Sequence, residues 1–124
     1  MRETKRGVVG PARLKLEELH ERGERLRIAI VTLAELQVGV AKSVRPEREK
    51  QRVGEAIEQF AILNILKTTA EIYGAVVGGL EQAGLVIDAM DGLIGSVALE
   101  YRDFVVSHNV KHFARIPGLV VEDY

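Results

Sequence analysis

The acids, amides and hydroxyls that could do chemistry in this sequence gather in three short stretches. Thr32 and Glu35 follow one apolar run, Asp88 and Asp91 stand at the head of another, and Ser107, His108 and Asn109 follow a third. Carboxylates together with an amide oxygen are the donors that a hard cation such as magnesium or manganese takes. Gathered in one cleft, they could hold one or two such ions, which activate water and steady the charge developing on a phosphodiester. Asp88 and Asp91 are three apart, so on a helix they share one face.

Spacing alone leaves a structural reading open for each. Glu35 can be the third residue of a capping box headed by Thr32. Asp88 and Asp91 sit where acids favour a helix dipole, and a helix N-terminus can hold a carboxylate that also ligates metal. Asn109 after a strand is an ordinary turn residue. His108 and His112 are four apart, as two helical zinc ligands would be, but they fall in a loop and no HExxH is present. Gly74, Gly78 and Gly79 lack the strand-then-helix setting of a phosphate-binding loop and read as close helix packing.

These residues need elements to position them. Gly10-Pro11 opens a helical pattern with Leu16, Leu19 and His20, ended by Gly23. Arg27 to Val31 reads as a buried strand, and the capping-box form of Thr32 to Glu35 starts a helix running to about Ser43. After Arg45-Pro46, Val53, Ala56, Ile57 and Phe60 form one stripe of a charged helix. Ala61 to Leu66 reads as a second strand. Thr68 to Glu71 is another capping-box candidate, followed by a core stripe of Ile72, Tyr73, Val76, Val77 and Leu80 that Gly84 ends. Asp88 can cap a further helix, Phe104 to Val106 reads as a third strand and Leu119 to Val121 as a fourth. Short apolar strands alternating with helices imply an α/β domain with a parallel sheet covered on both faces. Ligands of such sheets sit beyond the carboxyl ends of the strands, where all three polar stretches fall.

Composition bounds the function classes. A length of 124 residues fits one domain, spanning 1–124, and 47% apolar with 28% charged residues is that of a soluble globular protein. The absence of cysteine excludes disulfides, thiol nucleophiles and thiolate zinc sites. No apolar run approaches a membrane span and the basic start has no apolar stretch behind it, so a cytoplasmic location is expected. Net charge of −1 gives no global attraction to nucleic acid. Lys42, Arg45, Arg48 and Lys111 are then the candidates for a local patch contacting backbone phosphates, although Arg45 to Arg52 can equally be a solvated helix face.

Four ordered blocks resemble a known family. Ile28-Ala29-Ile30-Val31-Thr32-Leu33-Ala34-Glu35-Leu36 with Gly39 and Ser43, then Gly84 through Asp88 and Asp91 to Gly95, then Val105 to Leu119, then Val121-Glu122-Asp123-Tyr124 are similar to blocks of PIN-domain toxins of the VapC type. The resemblance implies a five-stranded parallel sheet with an acidic cleft that binds Mg2+ or Mn2+ and hydrolyses RNA phosphodiester bonds. It places Glu35 as the second acid and Asp91 as the third. Asn109 falls at an Asp-or-Asn position, Ser107 at a usual Thr, and Asp88 at a frequent accessory acid that reaches the metal. It also implies two partners, a second copy forming a homodimer and a small VapB-like antitoxin, with no membrane.

One departure stands out. The family opens with a strand ending in Asp-Thr-Asn or similar, and no such block precedes Gly10-Pro11. The expectation is therefore a PIN-like sheet whose central first strand is missing, from a sequence that begins too late. Two alternatives to the nuclease follow. One is a catalytically inactive PIN-like protein that dimerises or binds an antitoxin. The other, a small-molecule-binding domain of response-regulator type, suits the periodicity but lacks that fold's early acidic cluster and late lysine.

Overall fold

The computed structural model describes residues 6–10, 25–107 and 109–123. The helix expected from Pro11 to Gly23 lies outside the described residues, as do Met1–Glu3, His108 and Tyr124. In chain order the elements are β1 (Arg6–Val9), β2 (Arg25–Ala29), α1 (Ile30–Lys42), α2 (Pro46–Ile57), β3 (Ala61–Leu63), α3 (Lys67–Gln82), α4 (Ala89–Glu100), β4 (Val105–Val106), α5 (Val110–Phe113) and β5 (Val121–Glu122). The strands form a parallel five-stranded sheet in the order β3-β2-β1-β4-β5. Among the described residues, no helix is long and apolar enough to cross a membrane.

The expected parallel α/β sheet is present, but its centre is filled where a gap was expected. Arg6-Gly7-Val8-Val9 pairs with β2 on one side and β4 on the other. A strand of four residues, one charged and one glycine, offers too few apolar positions for a period to show. Glycine fits at position 7 because a Cβ there would stand 2.9 Å from both the Phe104 ring and Val106 Cγ2.

Alternation along the strands builds a core on each face. Val8, Ala29, Leu63 and Val105 point to one side and pack with Leu80 of α3, Ile94, Val97 and Ala98 of α4, and Phe113 and Ile116. Val9, Leu26, Ile28 and Val106 point to the other and pack with Leu36 and Val40 of α1, Val53 of α2, and Phe60. A Cβ on Gly92 would come within 3.0 Å of the Tyr73 ring, and one on Gly95 would overlap Ile116 Cδ1. These two glycines let α4 lie close against its neighbours.

Several boundaries move. The strand expected at Arg27 to Val31 ends at Ala29, and Ile30 and Val31 begin α1. A continuous apolar run carries no signal for where extended backbone turns helical. The capping box expected of Thr32 and Glu35 does not form: Ala29 is the N-cap, and the buried Thr32 hydroxyl donates instead to the Val9 carbonyl at 3.4 Å. β3 stops at Leu63, short of the expected Leu66, which caps α3. There Thr69, rather than Thr68, accepts the Leu66 N–H at 2.9 Å. Both threonine hydroxyls donate to the Glu100 carboxylate. Glu100 ends α4, where its charge opposes the dipole, but it lies at the N-terminus of α3, where its charge is favoured. The third and fourth expected strands shorten or shift to Val105–Val106 and Val121–Glu122.

Arg27 of β2 reaches past the central strand to an ion pair with Asp103, just before β4. The side chains are 17% and 7% exposed, and the guanidinium lies 5.4 Å from the Tyr101 ring centroid. Arg27→Ala leaves the Asp103 charge uncompensated and is expected to cost about 2–3 kcal/mol, somewhat below a fully buried pair because Arg27 keeps some exposure. The double change Arg27→Met with Asp103→Leu should fall within about 1 kcal/mol of the parent, since both charges go and the volume stays. Guanidinium denaturation of the two variants checks this, and equal losses would contradict it.

Candidate functional site

The sheet order reverses beside β1, since the chain runs outward from β1 through β2 to β3 and returns to β4 on its other side. A crevice forms at the carboxyl ends of strands at such a switch point. β1 ends there at Val9-Gly10, β2 passes directly into α1, and β4 ends at Ser107.

Glu35 enters from α1, a little over one turn past β2. Because Thr32 is bound to the Val9 carbonyl, Glu35 has no cap to hold. Its Oε1 is buried without a hydrogen-bond partner. A buried carboxylate oxygen with no donor is costly unless something positive or a donor arrives.

Asp91 enters from the first turn of α4 and is 5% exposed. The helix is aimed by Asp88, its N-cap, whose Oδ2 accepts from the N–H groups of Met90 at 3.1 Å and Asp91 at 3.4 Å. The loop before it is tied down by Arg115, which donates to the Val86 carbonyl at 2.5 Å. Asp88 therefore does the capping work that its position suggested, and stays exposed.

The three acids are near enough for their charges to act on one another. Burial pushes the Glu35 carboxyl up from its ordinary 4.5, and the charges of Asp91 and Asp88 push it further. Burial likewise raises Asp91 from its ordinary 3.8, with Asp88 adding and a hydrogen bond from His112 opposing. Carboxylates that repel one another in a partly dry crevice make a site poised for a cation or a proton.

His112 is the site neighbour that sequence reasoning missed. It was weighed only as a zinc partner of His108, yet its Nδ1 lies 3.5 Å from Asp91 Oδ2. The available signal was its place three residues after Asn109 in a short helix, which puts both on one face.

Ser107 and Asn109 have supporting positions. Ser107 is buried, and its Oγ accepts the Asn109 N–H at 2.9 Å, shaping the turn into α5. Asn109 is the N-cap of α5, is exposed, and makes no side-chain cap bond. Gly10 stands at the end of the central strand. A Cβ there would come within 2.8 Å of Ser107 Cβ and 2.9 Å of its Oγ, so Ser107 fills the room a side chain would need.

The basic candidates divide. Lys111 adjoins His112 at the rim. Lys42, Arg45 and Arg48 lie at the end of α1 and start of α2; Lys42 is about 10 Å along the helix axis from Glu35. There Arg45, Arg48 and Arg52 line a groove of about 460 Å³ together with Ser43, Glu49 and Glu55. Arg52 hydrogen-bonds Glu49, which holds that carboxyl below its ordinary value.

Comparison with known proteins agrees with this architecture. The model of the PIN domain matches residues 10–119. Ribonuclease VapC2 of Rickettsia felis is 34% identical over 107 residues, covering 86% of this chain and 80% of the relative. The tRNA(fMet)-specific endonuclease VapC of Salmonella typhimurium is 32% identical over 114 residues, covering 89% and 86%. Among solved structures, DNA-bound VapBC from Salmonella typhimurium aligns with a TM-score of 0.87 at 26% identity, over 98% of each chain. VapBC2 from Rickettsia felis bound to a promoter DNA fragment aligns at 0.84 and 27%, over 96% and 98%. The strand order, the crevice acids and these likenesses converge: the chain belongs to the PIN-domain family, as a relative of the VapC ribonucleases.

Proposed function

We propose that this chain is a metal-dependent endoribonuclease, the toxin of a type II toxin-antitoxin pair, which hydrolyses RNA phosphodiester bonds with Mg2+ or Mn2+. The observation that carries the reading is the meeting of Glu35 and Asp91, far apart in the chain, in one crevice where burial raises the proton affinity of both carboxyls, the Asp91 charge adds to that of Glu35, and one Glu35 oxygen lacks a partner. The ribonuclease relatives supply the substrate class.

The donor chemistry fits a hard divalent cation. Glu35 and Asp91 would hold it, with Asp88 reaching it directly or through water. Among the described residues, no group of three or more His, Asp or Glu stands ready-made for a metal ion. Magnesium tolerates this, since it is commonly bound by one or two carboxylates with water and substrate phosphate completing the shell. When bound, the cation would supply Lewis acidity toward the phosphate and its attacking water. The chain's own residues do the rest. The Glu35 and Asp91 charges fix where positive charge accumulates, Ser107 sets the turn, and the Asn109 amide can hydrogen-bond a phosphate or water. Lys111 at the rim and Lys42, Arg45 and Arg48 along the α1–α2 groove would take backbone phosphates.

A VapB-like antitoxin and a second copy in a homodimer are the proposed partners, by analogy with the VapBC assemblies. Gly10 favours one other reading: with no carboxylate ending β1, the chain would bind its partners without cleaving.

Three outcomes are expected. Purified protein with manganese should cut RNA, and Asp91→Asn or Glu35→Gln should lower the rate by about 100-fold or more, as loss of several kcal/mol of charge stabilisation requires. No cutting by the parent protein would favour the non-cleaving reading, and equal cutting by all three would overturn the site. Arg45→Ala with Arg48→Ala should weaken RNA binding across sequences and lower the salt slope by about 1–2, measured by titration at several salt concentrations.

The third concerns pH. Between the unfolded carboxyl values and the raised folded ones, Glu35 and Asp91 hold more protons in the folded state than in the unfolded, so their contribution to metal-free stability falls as pH rises through that window. Glu35→Gln should remove part of that loss and leave the metal-free protein more stable than the parent at pH 7. Thermal unfolding of both proteins against pH reads this directly; a variant whose stability follows the parent's pH dependence unchanged would contradict it.

A further inference from the structure

The acid crevice sets a difficulty for the substrate proposed for it. Glu35, Asp88 and Asp91 repel the phosphates of an RNA strand, and a net charge of −1 supplies no general attraction. Cations must therefore stand on either side of the acids. On one side they are Lys42, Arg45 and Arg48, on helices that pack against the sheet face of Val9 and Ile28. The other side is α5, where Phe113, with Ile116 just beyond it, packs on the opposite face with Val8 and Ala29. Arg115 lies there. The helical winding of α5 continues through Ala114, and the Arg115 N–H donates to the His112 carbonyl at 3.4 Å. Lys111 and Arg115, four apart and both exposed, thus leave the same side of the chain.

Arg115 is held in place, but its charge is not answered. Its Nη1 donates to the Val86 carbonyl at 2.5 Å, and among the described residues no carboxylate pairs with it. A guanidinium carries five N–H donors in a planar fork, so one bond to a neutral acceptor fixes its plane and leaves the others for an anion. Both ends of that bond are anchored. Gly84, at φ +78°, turns the chain out of α3 with the Leu85 N–H bound to the Leu80 carbonyl at 2.8 Å, and Asp88 caps α4 two residues past Val86. On the other side Ile116 is 2% exposed and seated against Gly95. Arg27 and Arg52, by contrast, each meet a carboxylate. An exposed guanidinium oriented by backbone and left without a counter-charge is pre-arranged for bidentate contact with a phosphate.

Resting on the ribonuclease reading above, we propose that Arg115, with Lys111 beside it, is a second phosphate-binding point, so that an RNA strand crosses the carboxyl edge of the sheet. The strand runs from the α1–α2 groove over Glu35 and Asp91 to α5, passing from one face of the sheet to the other. The two basic points hold phosphates on either side of the linkage that lies over the acids. Contacts to phosphate set register and orientation without reading bases, so the clamp serves RNA of any sequence.

The test reads binding by metal-free protein, so that cleavage plays no part. The probe is a single-stranded oligouridylate of about twenty nucleotides, long enough for both points. Arg115→Gln should weaken binding about three- to tenfold at low salt and lower the salt slope by about 0.7, the share of one phosphate contact on a single strand. Arg115→Lys keeps the charge and should retain the parent's slope. Adding Arg115→Gln to Arg45→Ala with Arg48→Ala should give the sum of their slope losses, because one strand spans both points. Were Arg115 only a tie for the loop, Arg115→Lys and Arg115→Gln would weaken binding equally and leave the slope unchanged. That result, slope losses that do not add, or a parent that binds no oligouridylate overturns the clamp. Cutting of RNA with manganese judges the nuclease reading separately. A parent that cuts while Arg115→Gln keeps its full slope overturns the clamp alone; a parent that fails to cut while the slopes change as expected overturns the nuclease reading and supports the clamp.

Discussion

Two like charges held together in a partly dry crevice are the constraint on which the rest of this structure turns. Burial raises the cost of a charge on both Glu35 and Asp91, and the Asp91 charge adds to that of Glu35. Nothing in the packing requires either to be charged: the cores on the two sheet faces are made by valine, isoleucine, leucine and phenylalanine. A fold that carries such repulsion without a structural return is organised for something that binds there. Elsewhere the charges are resolved locally, as when Arg27 meets Asp103 or Glu100 takes the threonine hydroxyls at the head of α3.

The scaffold explains how the acids come to that place. Parallel pairing puts every strand's carboxyl end on one edge, and the reversal of order beside β1 opens a gap there. Thr32 then binds α1 to the end of β1, Asp88 caps α4 so that Asp91 follows in its first turn, and Gly92 and Gly95 bring α4 against α3 and Ile116. Each is a small local choice of residue, and together they fix two side chains from opposite faces of the sheet at one rim.

Much of this was legible in the sequence because it was written in local patterns. The stripe from Ile72 to Leu80, the Gly84 stop with its left-handed φ of +78°, and the Asp88 cap all use short-range chemistry that survives without the fold. What was hidden depended on partners distant in the chain. Thr32 looked like a cap because its spacing to Glu35 is right, but the Val9 carbonyl competes for its hydroxyl and wins. The central strand escaped notice because the four residues Arg6-Gly7-Val8-Val9 become a strand only when β2 and β4 flank them. His112 was invisible as a site residue because its neighbour Asp91 comes from another element. The acids were singled out by type and order, and the contact of the histidine with Asp91 needed the geometry.

Glu35 feels the charge of Asp91 across the crevice. Carbon-13 NMR titration of the two side-chain carboxyls in metal-free protein measures this without reference to any substrate. The account predicts that Glu35 titrates above its ordinary 4.5 and moves down when Asp91 is made Asn, because one source of repulsion is gone. A Glu35 carboxyl that titrates at its ordinary value and ignores the Asp91→Asn change would mean that the two acids do not share a site.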